Sequence, residues 1–460
     1  MTYKINDKKI ISAWTMYDWA NSVYPLVITS AIFPIFYESQ KGWTESIVDG
    51  KIIKGIEFFG YHFVNTELYS YIISLSYLIV ACLSPLLSGI ADYSGNKKSY
   101  MRFFCYLGAL ACISFFFFDV ANIELSMISV FLGSIGFSGS LVFYNAYLPE
   151  IATPDLHDKV SAKGFSRGYI GASLLLIICL ILITGKLIPD AARWAFVFTG
   201  IWWIGFSQIT FKGLPSNIFN HHPEGNRLTK GFSELKKVWK QMSDNIPLKR
   251  YLAAFFTYSM GVQTIMLMAV FFGTKEIDWM VGLDFSNLTE TGADLLAAKK
   301  EMADKKMQTG LIISILVIQF IAVAGAYLMA YLSKKIGNIK TLGMVVFVWA
   351  IICVVAYTFV YTPTHFYLIA ATIGFVMGGV QSLSRSTYSK LLPADTEDHT
   401  SYFSFYDVLE KMGIVIGTFF FGFIEGMFSI RESVLMLIVF FIVGFVLLLR
   451  VPKTEALRGE

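Results

Sequence analysis

Long apolar runs separated by short polar breaks set the pattern of this chain. A helix needs about 20 mostly apolar residues to cross the hydrocarbon layer of a bilayer. Runs of that kind fall at about 12–37, 68–91, 101–118, 124–148, 165–186 and 192–213, and again at about 251–272, 309–333, 341–361, 365–391, 403–427 and 432–450. The pattern predicts an all-α polytopic membrane protein of about twelve transmembrane helices. Two connecting stretches are long, about 38–67 and 273–308, and mix both charge signs.

Composition agrees. Hydrophobic residues make up 55% and charged residues 15% of the 460, where a soluble chain carries about a quarter charged. Mean hydropathy is +0.59. Several Trp and Tyr sit at the ends of the apolar runs, as an interfacial belt requires. Lys4, Lys8 and Lys9 ahead of the first run resemble the start of a secretion signal. That run is long, carries Asp18 and lacks a small-residue cleavage site, so it reads as a retained span.

Charge placement matters more than the net +4, which is too small to argue for nucleic acid. The segment 214–250 holds Arg227, Lys230, Lys236, Lys237, Lys240, Lys249 and Arg250 against Glu224, Glu234 and Asp244. Lys97, Lys98 and Arg102, then Lys159, Lys163 and Arg167, then Lys334, Lys335 and Lys340 lie in short loops on the same side, as do Arg450, Lys453 and Arg458 in the tail. Positive loops stay inside, so both termini are predicted to be cytoplasmic.

The chain also repeats weakly. Gly95 and Gly337, Pro149 and Pro393, and Tyr17 and Tyr258 are 242, 244 and 241 positions apart. Three landmarks at nearly one offset fit two six-helix halves, 1–213 and 251–460, joined by the basic linker 214–250. Parallel halves of this kind hold a substrate near mid-membrane.

The loop after the second span reads Ser88-Gly89-Ile90-Ala91-Asp92-Tyr93-Ser94-Gly95-Asn96-Lys97-Lys98. It resembles the major facilitator signature Gly-x-x-x-Asp-Arg-x-Gly, with Ser88 and Tyr93 at the first Gly and the Arg. The copy from Ala330 to Gly337 is more degraded, with Lys334 where Asp is expected. Trp14-Thr15-Met16-Tyr17-Asp18-Trp19-Ala20-Asn21-Ser22 resembles the opening of the autophagy-related vacuolar effluxer family and its bacterial relatives within that superfamily. Phe143 to Glu150 and Gly378 to Ser386 match its fourth and tenth spans; Gly168 to Gly171, Trp202-Trp203 and Gly261 to Thr264 also fit. The likeness implies a twelve-span major facilitator fold in two pseudo-symmetric halves. It also implies export of amino acids or similar small metabolites.

Read physically, Tyr17, Asn21 and Tyr24 share one helix face and Asp18 a neighbouring one. A carboxylate about 10 Å into a span is costly and must face the interior. Asp18 either binds a substrate amine or a proton, or is bonded to a neighbour at the cytoplasmic gate. Asn145, Gln263, Thr264 and Gln381 are neutral hydrogen-bonding residues that either contact substrate or hold helices together. With Tyr17, Asp18, Asn21 and Tyr24 they make up the expected substrate or proton pathway. Asp407 and Lys411 are i, i+4 partners, which leaves Glu410 seeking Arg385 or Arg167. Those five, with Asp92 and Glu150, form the expected gating salt network. Arg385 either clamps a carboxylate or snorkels to the interface. Pro25 and Pro34 are expected to bend the first span, and Gly378-Gly379 to allow close helix approach.

No phosphate loop and no nucleophile–base pair stands out, so no catalytic residue, metal or cofactor is assigned. Cys82, Cys105, Cys112, Cys179 and Cys353 lie in apolar runs as small hydrophobes, and His221 and His222 read as solvated linker residues. The reading is a monomeric secondary transporter in the lipid bilayer that exports a small polar metabolite, with a coupling proton. Its rivals are a multidrug or other solute facilitator of the same fold, and a non-transporting receptor or scaffold.

Overall fold

The computed structural model describes residues 4–48, 51–216, 218–219, 227–286 and 292–452. His221 and His222, and the tail residues Lys453 and Arg458, lie outside them. The helices are α1 (Lys8–Ser39), α2 (Asn65–Ser94), α3 (Lys97–Ser114), α4 (Ile123–Asn145), α5 (His157–Thr184), α6 (Ala191–Gly213), α7 (Arg227–Asp244), α8 (Ile246–Glu276), α9 (Gly292–Ile336), α10 (Asn338–Phe359), α11 (Pro363–Leu391), α12 (His399–Met427) and α13 (Ile430–Leu449). All twelve predicted runs are helical. Ten helical stretches among the described residues are long and apolar enough to cross a membrane. The two remaining runs, α6 and α12, have the length; α12 is the more charged of the two, with Asp407, Glu410, Lys411 and Glu425, and α6 carries Arg193 and Lys212 near its ends.

Burial is inverted relative to a soluble protein. Leu125, Leu368, Phe419 and Leu449 are 69%, 64%, 66% and 65% exposed, while Asp18, Glu150, Arg385, Asp407 and Lys411 are buried. Only a lipid solvent makes that arrangement favourable.

The connecting stretches hold more structure than their charge suggests. Residues 44–48 and 51–64 form an antiparallel sheet in the order β1 (Thr44–Val48), β2 (Lys51–Phe58), β3 (Tyr61–Val64), with Phe58 opposite Tyr61 across the Phe59-Gly60 turn. The linker contains α7, and α9 begins well before its apolar run. In α1 the backbone widens to a π-helical stretch over Tyr24–Ile32, with Pro25 in its first turn. The ring removes one amide and displaces its carbonyl partner.

The chain divides into two compact units, residues 1–249 with 385–412, and residues 250–384 with 413–460. Inside the first unit α3 and α4 meet through glycines: a Cβ on Gly136 would lie 2.2 Å from the Gly108 nitrogen. Inside the second, a Cβ on Gly378 would lie 2.0 Å from the Ala322 carbonyl oxygen, so α11 and α9 touch backbone to backbone. Gly95 and Gly337, which precede the basic turns into α3 and α10, both have positive φ, 62° and 89°. A side chain there would be strained.

Each unit also carries an arginine that caps orphan helix carbonyls. Arg193, at the start of α6, donates to the Phe116 and Phe118 carbonyls beyond α3 at 2.6 and 2.8 Å, and lies over the Phe36 ring. Arg431, 238 positions later at the start of α13, donates to the Ala356, Tyr357 and Val360 carbonyls at the end of α10, and lies over Phe272 and Tyr361. The device is the same on the same elements of each unit.

Candidate functional site

The site is built around Arg385, near the end of α11 and 3% exposed. It neither snorkels nor meets solvent. Its Nη2 donates to Asp18 Oδ2 at 3.3 Å and to the Ser161 carbonyl at 3.0 Å. Nε donates to Ser161 Oγ at 3.0 Å, and Nη1 to Asn145 Oδ1 at 3.3 Å. Three aromatic faces enclose the guanidinium: Phe165 at 4.2 Å, Trp14 at 4.8 Å and Tyr144 at 5.5 Å. A planar, weakly hydrated cation suits such a cage, where an ammonium would stay short of donors.

Asp18, 4% exposed, completes the cluster by accepting the Tyr144 hydroxyl at 2.6 Å. Gly164 on α5 leaves room for it; a Cβ there would fall 2.2 Å from Asp18 Oδ2 and 3.0 Å from Arg385 Nη2. Tyr17 packs on Tyr144 with ring centroids 5.0 Å apart. Trp14, stacked on the same ring, donates its indole N–H to the Tyr144 carbonyl at 2.9 Å. The WTMYDWANS segment is thus one wall of the site.

Four further ties join residues 390–401 to the helices of the same unit. Lys390 meets Asp158 at 2.7 Å, both side chains buried. Glu150 lies between Lys97, in a salt bridge, and His399 Nδ1 at 3.0 Å. Asp92 meets a helix start: its carboxylate accepts the backbone N–H groups of Thr400 and Ser401 at 3.1 and 2.7 Å, and the Ser401 hydroxyl at 2.8 Å. An anion there satisfies orphan amides and the positive end of the α12 dipole. Lys237 of α7 bridges Asp398 at 3.0 Å and Glu234 at 3.1 Å. Burial alone would lower the Lys237 ammonium, but the hydrogen bonds and charge of those two carboxylates push it up to about 12.

The residues expected from sequence divide between the units. Tyr17, Asp18, Asn145 and Arg385 come together in the first. Asn21 is buried nearby on α1, and Tyr24 shares a hydrogen bond with Ser134 at 3.0 Å and stacks on Phe137. Arg167 serves α1 instead of Glu410: it donates to the Ser12 carbonyl at 2.9 Å and Thr15 Oγ1 at 2.6 Å. Glu410 lies 3.4 Å from Lys411, which also meets Asp407 at 3.4 Å. Gln263, Thr264 and Gln381 belong to the second unit. There Thr264 is buried against Gly417, and Gln381 Nε2 lies 3.5 Å from the Met266 sulfur. Sequence reasoning gave no site role to Tyr144, Ser161, Asp158, Lys390 or His399. Asp158 had a signal, as an acid at the head of an apolar run; Ser161 and His399 had none. A cleft of about 390 Å³ opens between α7 and the 393–398 loop, with Glu234, Asp395, Glu397 and Asp398 in its lining. None of the expected pathway residues lines it.

Comparison with known proteins is consistent with this architecture. The family described as vacuole effluxer Atg22 like matches residues 6–459. The uncharacterized MFS-type transporter YxiO of Bacillus subtilis is 29% identical over 451 residues, covering 96% of this chain and 94% of that one. Autophagy-related protein 22 of Gibberella zeae is 21% identical, covering 89% of this chain and 74% of that one. Among solved structures, the proton:xylose symporter XylE matches at 12% identity with a TM-score of 0.65, covering 98% of this chain and 97% of that one. The likeness in structure gives the major facilitator fold.

Proposed function

Because this chain belongs to the vacuole effluxer Atg22-like family of MFS transporters, we propose that it is a secondary active transporter that exports a small polar metabolite, amino acids first, by alternating access. Both termini and the basic loops face the cytoplasm in this reading, and the membrane is a bacterial inner membrane.

The observation that carries the proposal is the group of buried ties between residues 385–401 and the helices of residues 1–249. Buried ion pairs are poor devices for stability, because the desolvation penalty consumes most of the attraction. Charges inside a lipid-embedded bundle are costlier still. Asp18–Arg385, Asp158–Lys390 and Lys97–Glu150–His399 make physical sense as contacts formed in one state and released in the other. A near-balanced cost and gain is what a switch needs. In this reading Asp18 is a gate group held by Arg385, and the Tyr17 face beside it lines the path. The names of solved neighbours such as the proton:xylose symporter XylE support a proton as the coupling ion.

The test is purified protein in vesicles loaded with a radiolabelled amino-acid mixture. Flux above protein-free vesicles, lost in Arg385→Gln, is the expected result. Vesicles no leakier than empty ones, from protein whose Tm no amino acid moves, would overturn the reading.

A further inference from the structure

The hairpin of β2 and β3 has one apolar face and one polar face. Side chains alternate across paired strands, and the register puts Ile56 with Phe63 and Phe58 with Tyr61 on one face, and Glu57 with His62 on the other. The turn between the strands carries another aromatic residue. Phe59 has a φ of 49°, and Gly60 after it has 80°. A two-residue turn of this hand favours Asn-Gly or Asp-Gly, and a bulky side chain in the left-handed region is strained. Phe59 touches the Phe58 ring, with centroids 4.7 Å apart, yet stays 70% exposed, and Tyr61 is 72% exposed. Two large rings therefore stand outside the protein, one of them at a position where the backbone favours a small polar residue.

The turn is fixed beside side chains that face lipid. The Phe59 backbone N–H donates to Glu124 Oε1 at 3.4 Å, in the first turn of α4. Leu125 and Ile128 follow on α4 as exposed apolar residues of a membrane span. On the other strand, Phe63 meets Tyr71 of α2 edge to face, with centroids 6.1 Å apart. Tyr71, Leu75 and Leu78 are exposed along one face of that span. Phe59, Phe58, Phe63 and Tyr71 make a chain of ring contacts from the tip of the hairpin to the lipid-facing side of α2.

We propose that this hairpin is a membrane anchor, and that phospholipid covers its aromatic face. The leaflet is the one remote from the basic turn at Gly95, because the hairpin leads into the opposite end of α2. Phe59 enters the boundary between headgroups and acyl chains, and Tyr61 keeps its hydroxyl among the headgroups, as interfacial aromatics do. Glu57 and His62, exposed on the other face, stay in water and limit the depth. Continuity with the apolar surfaces of α2 and α4 is what selects lipid as the occupant. The anchor fixes the connection between α1 and α2 to the bilayer, and does not depend on what is transported.

Adjacent strand residues point to opposite faces, which gives the test its control. Tyr61→Cys and His62→Cys are each made with Cys82→Ser, the other four cysteines being buried, then labelled with bimane in the purified full chain and reconstituted into phosphatidylcholine vesicles. Lipid brominated on its acyl chains should quench the label of Tyr61→Cys about threefold more than that of His62→Cys, and aqueous iodide should do the reverse. Adding Phe59→Asp keeps a favoured turn sequence, Asp-Gly, so the hairpin persists while the tip leaves the membrane; the two labels should then be quenched alike. Equal quenching by brominated lipid without Phe59→Asp overturns the proposal, as does a difference that ignores Phe59→Asp. A Tyr61→Cys label shielded from both quenchers would mean that a second copy of the chain covers this face, and would overturn it equally.

Discussion

Replacing Arg385 by Met is the most informative perturbation of the buried cluster. The substitution keeps a long side chain but removes the charge, the donors to Asp18, Asn145 and Ser161, and the cation beneath three aromatic rings. Asp18 is then a buried carboxylate held by the Tyr144 hydroxyl. Removing one partner of a buried pair costs about 3–5 kcal/mol, chiefly the penalty of the stranded charge. Asp18→Asn alone should cost less, because Arg385 keeps Ser161, Asn145 and its aromatic cage. The double variant strands no charge, although Ser161 and Asn145 still lose their donor, so its loss should fall below the sum of the singles by about 1–3 kcal/mol. A chain of two compact units need not unfold in one step, so the ordering of Tm in detergent is the proper readout. Wild type should melt highest, then the double variant, then Arg385→Met. A double variant that melts at or below Arg385→Met would refute the reasoning: the ion pair would then not be what holds Asp18 in place.

Other outcomes follow from close contacts and caps. Gly164→Ala puts a methyl against Asp18 Oδ2 and Arg385 Nη2, and should cost about 1–3 kcal/mol, seen as a lower Tm. Gly136→Ala forces α3 and α4 apart at Gly108; a similar loss is expected, with proteolysis favoured within the first unit. Arg193→Met and Arg431→Met each leave helix-end carbonyls without their donor. Each should cost about 1–3 kcal/mol, with Arg431→Met the more severe because it also strands Glu276; equal melting of the two would count against the cap account.

What the sequence by itself determined was the membrane architecture. Hydrophobic length is a local property, and lipid leaves the backbone no choice but the helix, so every predicted run is helical. The resemblance carried by Trp14–Ser22 and Gly378–Ser386 pointed to the family for the same reason, being written in short contiguous segments. Even some missed elements had local signals. Leu235, Val238 and Met242 in α7 have helical spacing, and Ile56, Phe58, Tyr61 and Phe63 around Phe59-Gly60 suit a hairpin; charge drew attention away from both. Only the tertiary structure decided which acid meets which base. Asp18 and Arg385 are 367 positions apart, and several cations were equally available by composition. Arg167 turned to Ser12 and Thr15, and Asp92 met the amides of Thr400 and Ser401. Coulomb attraction does not choose partners along a chain; packing does, because burial makes a charge costly wherever it lacks a partner in reach.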